Sequence, residues 1–275
     1  MQPWFETIGV LILSLLGISL GLLIGKIKNR LWLLGYAIPL ILVILVTLPR
    51  NIPWLKFYLP FSWISAGRRE FVIFSLAIPM LFGTLIPRLK RKREKILISI
   101  MLAFASVLFF IFPFMTPALV REKLENLQTQ FSDDGVCLQT TNYTCGPAAA
   151  VTALAQFGIK AQEGELAVLA YSSPQMGTAD DLLSHAIEKR YGPEGIRCTY
   201  RYFDSVAQLK TCCPTIAVVK FSFFVDHYIT VLDVTDDKVI IADSIVGSIE
   251  YTYEQFKERW RFVGIVLKKH NRNDP

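Results

Sequence analysis

The stretch 136-VCLQTTNYTCGPAAAVTALAQFG-158 lies near the start of the part of the chain that reads as a globular domain. Gly146 and Pro147 lead into Ala148–Phe157, a run of good helix formers with apolar Ala150, Leu154 and Phe157 at helical spacing, closed by Gly158. Proline favours the first turn of a helix and glycine the position just past its end. Cys145 therefore stands at a helix N-terminus, where unpaired N–H groups favour a thiolate. Six residues earlier is Gln139.

Upstream of this stretch the chain is strongly apolar. Of its 275 residues 52% are hydrophobic, too many for an ordinary soluble domain, and the excess lies in the first half. Four segments carry no charge: Thr7–Gly25, Leu31–Pro49, Phe71–Pro87 and Ile96–Val120. Their lengths fit membrane-spanning helices, so spans are expected at about 7–25, 31–49, 71–87 and 96–118. No Lys or Arg precedes the first, which argues against a cleavable signal peptide. Between spans two and three, 57-FYLPFSWISAG-67 is aromatic, broken by Pro60 and too short to cross, and reads as interfacial or re-entrant.

Charge divides the chain in the same place. Residues 1–118 hold 13 Lys and Arg against 3 Asp and Glu, whereas residues 119–275 hold 16 against 20. The basic balance belongs to the membrane-flanking loops and is no argument for nucleic-acid binding.

Beyond a polar linker over 119–132, the pattern predicts an α+β domain over 133–270. Helices are expected from Cys145, over 162–172 and over 178–192, the last with Thr178 and Asp181 spaced as a capping box. Strands are expected over 197–203, 215–223, 227–234 and 238–244, with Asp236-Asp237 as a tight turn between the last two. A short helix over 252–260 and a strand over 262–268 close the domain.

A cysteine nucleophile needs a base and a group to orient it. His270 lies in the polar tail and His185 on a charged helix, which leaves His227, at the start of a strand. Asp243 follows sixteen residues later. If Val231–Val234 and Lys238–Ile241 pair around the turn, both fall near one end of the hairpin. Taken singly, each residue has an ordinary structural explanation: a small buried thiol, a surface glutamine, a satisfied strand histidine, a turn aspartate.

Taken together, Gln139, Cys145-Gly146, His227-Tyr228 and Asp243 resemble the bacteriocin-processing cysteine peptidases, papain-like enzymes that cut leader peptides after a double glycine. The resemblance covers roughly residues 133–268. It implies Cys145 as nucleophile, His227 as base, Asp243 as its orienting group and Gln139 in the oxyanion hole. It also implies a peptide or protein substrate, no cofactor and no metal. Two positions depart from the family pattern, with Thr144 where Asp is usual and Ser244 where Pro is usual. Such domains are usually fused to an ABC transporter, yet nothing in this chain matches G-x-x-x-x-G-K-[ST]; the nearest run, 21-GLLIGK-26, has the wrong spacing. The chain is therefore expected to be a membrane-anchored cysteine peptidase of a bacterial plasma membrane, with a separate transporter or membrane protein as a further partner. Acyl transfer, or peptide binding without cleavage on the same fold, are the alternatives. The other four cysteines, Cys137, Cys198, Cys212 and Cys213, would form two disulfides in an oxidising compartment or stay as buried thiols.

The loops on one side of the four spans hold nine basic residues and those on the other side six, which puts the peptidase domain outside by the positive-inside rule. A cysteine introduced near the C-terminus is expected to react with an impermeant thiol reagent in intact cells, once the native cysteines are accounted for. Protection until the membrane is permeabilised would reverse the orientation.

Overall fold

The computed structural model describes residues 3–66, 68–222 and 225–270. The chain forms two compact units, Met1–Leu119 and Val120–Pro275.

The first unit is helical: α1 (Pro3–Gly25), α2 (Leu34–Asn51), the short α3 (Phe61–Ile64), α4 (Arg69–Leu85), α5 (Lys92–Ser106) and α6 (Phe112–Leu119). Among the described residues, four stretches are long and apolar enough to cross a membrane: Trp4–Gly25, Arg30–Asn51, Arg69–Arg88 and Lys92–Leu119. The last is one helical run in which a π-turn at Val107–Ile111 joins α5 to α6. Between spans two and three, Trp54, Tyr58, Leu59 and Trp63 are exposed, as suits an interfacial segment; Gly67, its expected end, lies outside the described residues.

The tightest joint in this unit follows from glycine spacing. Gly17, Gly21 and Gly25 recur every fourth residue and line one face of α1. A Cβ on each would come within 2.4 Å, 2.3 Å and 2.5 Å of the carbonyl oxygens of Leu76, Met80 and Thr84. Only bare backbone lets α1 and α4 approach this closely. Glu6 and Arg68 add an ion pair, and the Arg68 guanidinium lies 5.0 Å over the Phe114 ring.

The second unit begins with α7 (Arg121–Glu125) and a two-stranded ladder of β1 (Gln130–Phe131) and β2 (Cys137–Leu138). Three helices follow: α8 (Cys145–Ala155), α9 (Glu163–Leu169) and α10 (Asp180–Tyr191). A six-stranded sheet completes it: β3 (Ile196–Tyr202), β4 (Thr215–Lys220), β5 (Asp226–Val234), β6 (Lys238–Asp243), β7 (Gly247–Thr252) and β8 (Trp260–Lys269), with α11 (Tyr253–Arg259) before the last strand. The order is β3-β8-β4-β5-β6-β7 and every pairing is antiparallel. This is an α+β domain, as the residue pattern predicts.

Alanines let α8 lie close on the sheet. Gly146–Leu154 are all buried, and the Thr230 hydroxyl of β5 donates to the Ala149 carbonyl of α8 at 2.7 Å. One core cluster includes Ile229, Val231, Ile241 and Val266 of the strands, with Phe256 and Trp260 from the end of the domain.

Four details differ from expectation. Residues 178–181 form no capping box: α10 starts at Asp180 behind Ala179, and the Thr178 hydroxyl instead meets Ser172 Oγ at 2.7 Å. A capping box forms at Thr252 and Gln255, where α11 begins. Strand β7 has alternating burial but is too polar for the hydrophobic pattern to flag. Strand β4 stops at Lys220, and Phe223, its expected end, lies outside the described residues.

The glycine joint makes a testable case. Gly21→Leu is expected to force α1 from α4 and destabilise the first unit by about 1–3 kcal/mol. Loss of helical signal in an SDS titration of the detergent-solubilised protein would come at lower SDS than in wild type, and an unchanged midpoint would refute the joint.

Candidate active site

Residues from three elements meet at one edge of α8. Cys145 opens the helix and is half-buried; its first-turn N–H groups have no partner within the helix. The bend before it is held by Thr144, fully buried, whose hydroxyl lies 2.9 Å from that of Thr141 and donates to the Thr141 carbonyl at 3.1 Å. Gly146 gives the turn room: a Cβ there would crowd Leu183, Thr178 and Tyr228.

His227 stands near the start of β5 and Asp243 at the end of β6. The register pairs Val231 with Ile241 and Ile229 with Asp243, which leaves His227 and Asp243 diagonal neighbours on one sheet face. Their contact is direct, 2.9 Å from His227 Nε2 to Asp243 Oδ1. The same carboxylate oxygen accepts the Ile245 N–H at 2.9 Å. With Nε2 engaged by Asp243, Nδ1 is the ring nitrogen that remains, and Cys145 is close enough to act on the imidazole electrostatically.

The electrostatics are those of a buried charge with partners. Burial alone pulls the His227 pKa down, but the Asp243 carboxylate and the Cys145 side chain outweigh it and raise His227 to about 9. Burial pushes the Asp243 carboxyl up, and the hydrogen bonds from His227 and the Ile245 N–H outweigh it, holding Asp243 below its ordinary value. Burial also drives the thiols of Cys137, Cys198 and Cys213 up to about 12, so these three stay protonated at neutral pH. All five cysteines are free thiols, and the expected alternative of two disulfides is not realised.

Gln139 follows β2 and is half-buried. Its N–H donates to the Ser244 carbonyl at 3.0 Å, its Nε2 to the Thr141 carbonyl at 2.9 Å, and its Oε1 accepts from Ser244 Oγ at 2.8 Å. Next to it, Thr140 is held by Glu163, a fully buried carboxylate that accepts from both the Thr140 N–H and its hydroxyl at 2.9 Å. Tyr228 buttresses the other side, its hydroxyl donating to the Thr178 carbonyl at 3.1 Å and to the Asp180 carboxylate. His185 and His270 are exposed on other elements. Among the described residues no cluster of three or more His, Cys, Asp or Glu has a metal-holding arrangement.

Residues 134–272 match the Peptidase C39 family. The chain belongs to that family. It is 29% identical over 149 residues to an uncharacterized protein of Methanothermobacter marburgensis, spanning 54% of this chain and 97% of the relative. A second uncharacterized protein, from Methanothermobacter thermautotrophicus, is 28% identical over 141 residues, 51% of this chain and 92% of its own. Among solved structures, similarity extends to a double-glycine-motif protease of an AMS/PCAT transporter in complex with the leader peptide, at 16% identity and a TM-score of 0.43 over 52% of this chain and 93% of that one. The peptidase domain of Streptococcus ComA, a bifunctional ABC transporter, matches at 22% identity and a TM-score of 0.43, over 48% and 96%.

Sequence reasoning passed over Glu163 and gave no structural role to Ser244 or Tyr228. Glu163 is an ordinary first-turn glutamate in sequence, and only its burial sets it apart. Ser244 stood out as a departure from the family pattern, but its partner lies 105 residues away.

The His227 shift ties stability to pH. Its pKa is near 6.5 in an unfolded chain and about 9 here, so its contribution is fully present below pH 6.5 and lost as pH rises through 9. The melting temperature is expected to fall across that window in wild type, and His227→Gln to flatten the fall. Parallel profiles for the two proteins would contradict the assignment.

Proposed function

We propose that residues 120–270 form a cysteine peptidase that the four spans tether to a bilayer on the extracytoplasmic side. The observation that carries this reading is the 2.9 Å bond from His227 Nε2 to Asp243, with Cys145 among the groups that act on the same imidazole. A peptidase needs that chain of contacts, whereas a protein that only binds peptides does not.

In this mechanism the Cys145 sulfur attacks the carbonyl carbon of a peptide bond and the electron pair moves to its oxygen. The Cys145 N–H and the Gln139 amide stabilise that oxyanion. Protonated His227 then gives its proton to the leaving amine as the C–N bond breaks, leaving a thioester on Cys145. Neutral His227 takes a proton from water, and the hydroxide attacks the thioester. The tetrahedral intermediate collapses to the acid and releases the sulfur. Asp243 keeps Nε2 engaged throughout, so that Nδ1 faces the thiol. A peptide or protein segment is the substrate, the class that the family's name specifies; leader peptides of the double-glycine kind are the first to try.

The armed pair can be tested without a substrate. Iodoacetamide is expected to label Cys145 rapidly at pH 6.5, well below the pH of about 8.5 at which an ordinary thiol ionises. In His227→Ala the rate at that pH should fall at least about tenfold. Peptide mass identifies the labelled cysteine. Slow labelling with an ordinary pH profile in both proteins would sink the peptidase reading.

A further inference from the structure

Ser244 is 3% exposed, directly follows the Asp243 that holds the imidazole, and makes two hydrogen bonds to Gln139. We propose that its side chain is a positioning residue for the oxyanion hole, orienting the Gln139 amide with its nitrogen toward the reacting carbonyl. The proposal rests on the peptidase reading above.

The argument starts from what each group can donate. The Thr141 carbonyl can only accept, so the Gln139 atom 2.9 Å from it is the amide nitrogen. The other amide atom is then the oxygen, and Ser244 Oγ, 2.8 Å away, donates to it. An amide nitrogen carries two hydrogens; Thr141 takes one, and the second is free for an oxyanion. Were the amide reversed, its oxygen would face the developing negative charge and repel it.

The backbone leaves the side chain as the only freedom. Gln139 N–H is tied to the Ser244 carbonyl, and Thr140 is tied at two atoms to buried Glu163. A residue without a hydroxyl at 244 would keep the carbonyl for the first of these bonds and leave the amide oxygen without its donor. The side-chain contact therefore depends on the serine hydroxyl. It makes one strand end serve two jobs, Asp243 for the base and Ser244 for the oxyanion donor.

Two reactions at Cys145 separate these jobs. Attack on p-nitrophenyl acetate passes through a tetrahedral oxyanion; alkylation by iodoacetamide displaces iodide at a saturated carbon and forms none. Both are followed in the full chain in detergent, with Cys145→Ala subtracted for the other thiols. Ser244→Ala is expected to slow p-nitrophenolate release about fivefold to tenfold, while iodoacetamide labelling and its pH profile stay at wild type. Ser244→Thr, which keeps the hydroxyl, should retain the ester rate. Gln139→Ala should cost on the order of a hundredfold, and adding Ser244→Ala to it should cost nothing more. Equal loss of both reactions in Ser244→Ala, or losses that multiply in the double variant, would overturn the proposal while leaving the peptidase reading intact. A slow Ser244→Ala beside a Gln139→Ala at full rate would remove Gln139 from the oxyanion hole and the proposal with it. Absence of Cys145-dependent ester cleavage in wild type would overturn the peptidase reading itself.

Discussion

The Thr230 hydroxyl reaching the Ala149 carbonyl at 2.7 Å is the contact on which the site's geometry depends. It joins the helix that carries Cys145 to the strand that carries His227. Both groups are fully shielded from water, so the bond has no solvent competitor, and an unpaired hydroxyl there would cost about 1–3 kcal/mol. The bond forms only because alanines at 148–150 let the helix backbone come down onto the sheet. Larger side chains on that face would hold α8 away and separate thiol from imidazole by more than a hydrogen bond can span.

Once helix and strand are joined, electrostatics decides the state of the site. A buried imidazolium is unfavourable alone, and burial is the largest single influence on His227. Asp243 and Cys145 together reverse the balance. The carboxylate is itself held by the Ile245 N–H, so its charge is fixed in place and cannot relax by rotating away. The register of β5 and β6 places that charge: the turn at Asp236-Asp237 starts the pairing, and a bulge between Val231 and Asp233 shifts it by one residue, so that Ile229 meets Asp243.

Much of this was legible in the sequence, and what was not has physical reasons. The four apolar spans, the helix at Cys145 and the β5–β6 hairpin follow from local pattern. The four candidate residues could be singled out too, because Cys145, His227, Asp243 and Gln139 are distinctive types whose spacing resembles one family. Gly17, Gly21 and Gly25 had a readable period too, but their meaning depends on which helix they face. Thr178 shows the opposite failure: its capping spacing is right, yet a hydroxyl partner at Ser172 competed for it. Glu163 and Ser244 were illegible because their roles arise only when segments far apart in sequence are packed together. Burial turned an ordinary glutamate into an anchor for Thr140.

The two departures from the family pattern have a common logic. At 144 an aspartate would place a carboxylate in a site with no solvent exposure, directly before Cys145. Threonine closes the bend through neutral bonds to Thr141. At 244 serine replaces a residue that stiffens the backbone with one that reaches across to Gln139. Thr141 lies in both networks, its hydroxyl and carbonyl bonding Thr144 while the same carbonyl receives the Gln139 amide. The two substitutions therefore act on one loop from its two sides. Thr144 acts on the bend before Cys145 and Ser244 on the glutamine beside it, and within residues 139–141 the two are linked by way of Thr141.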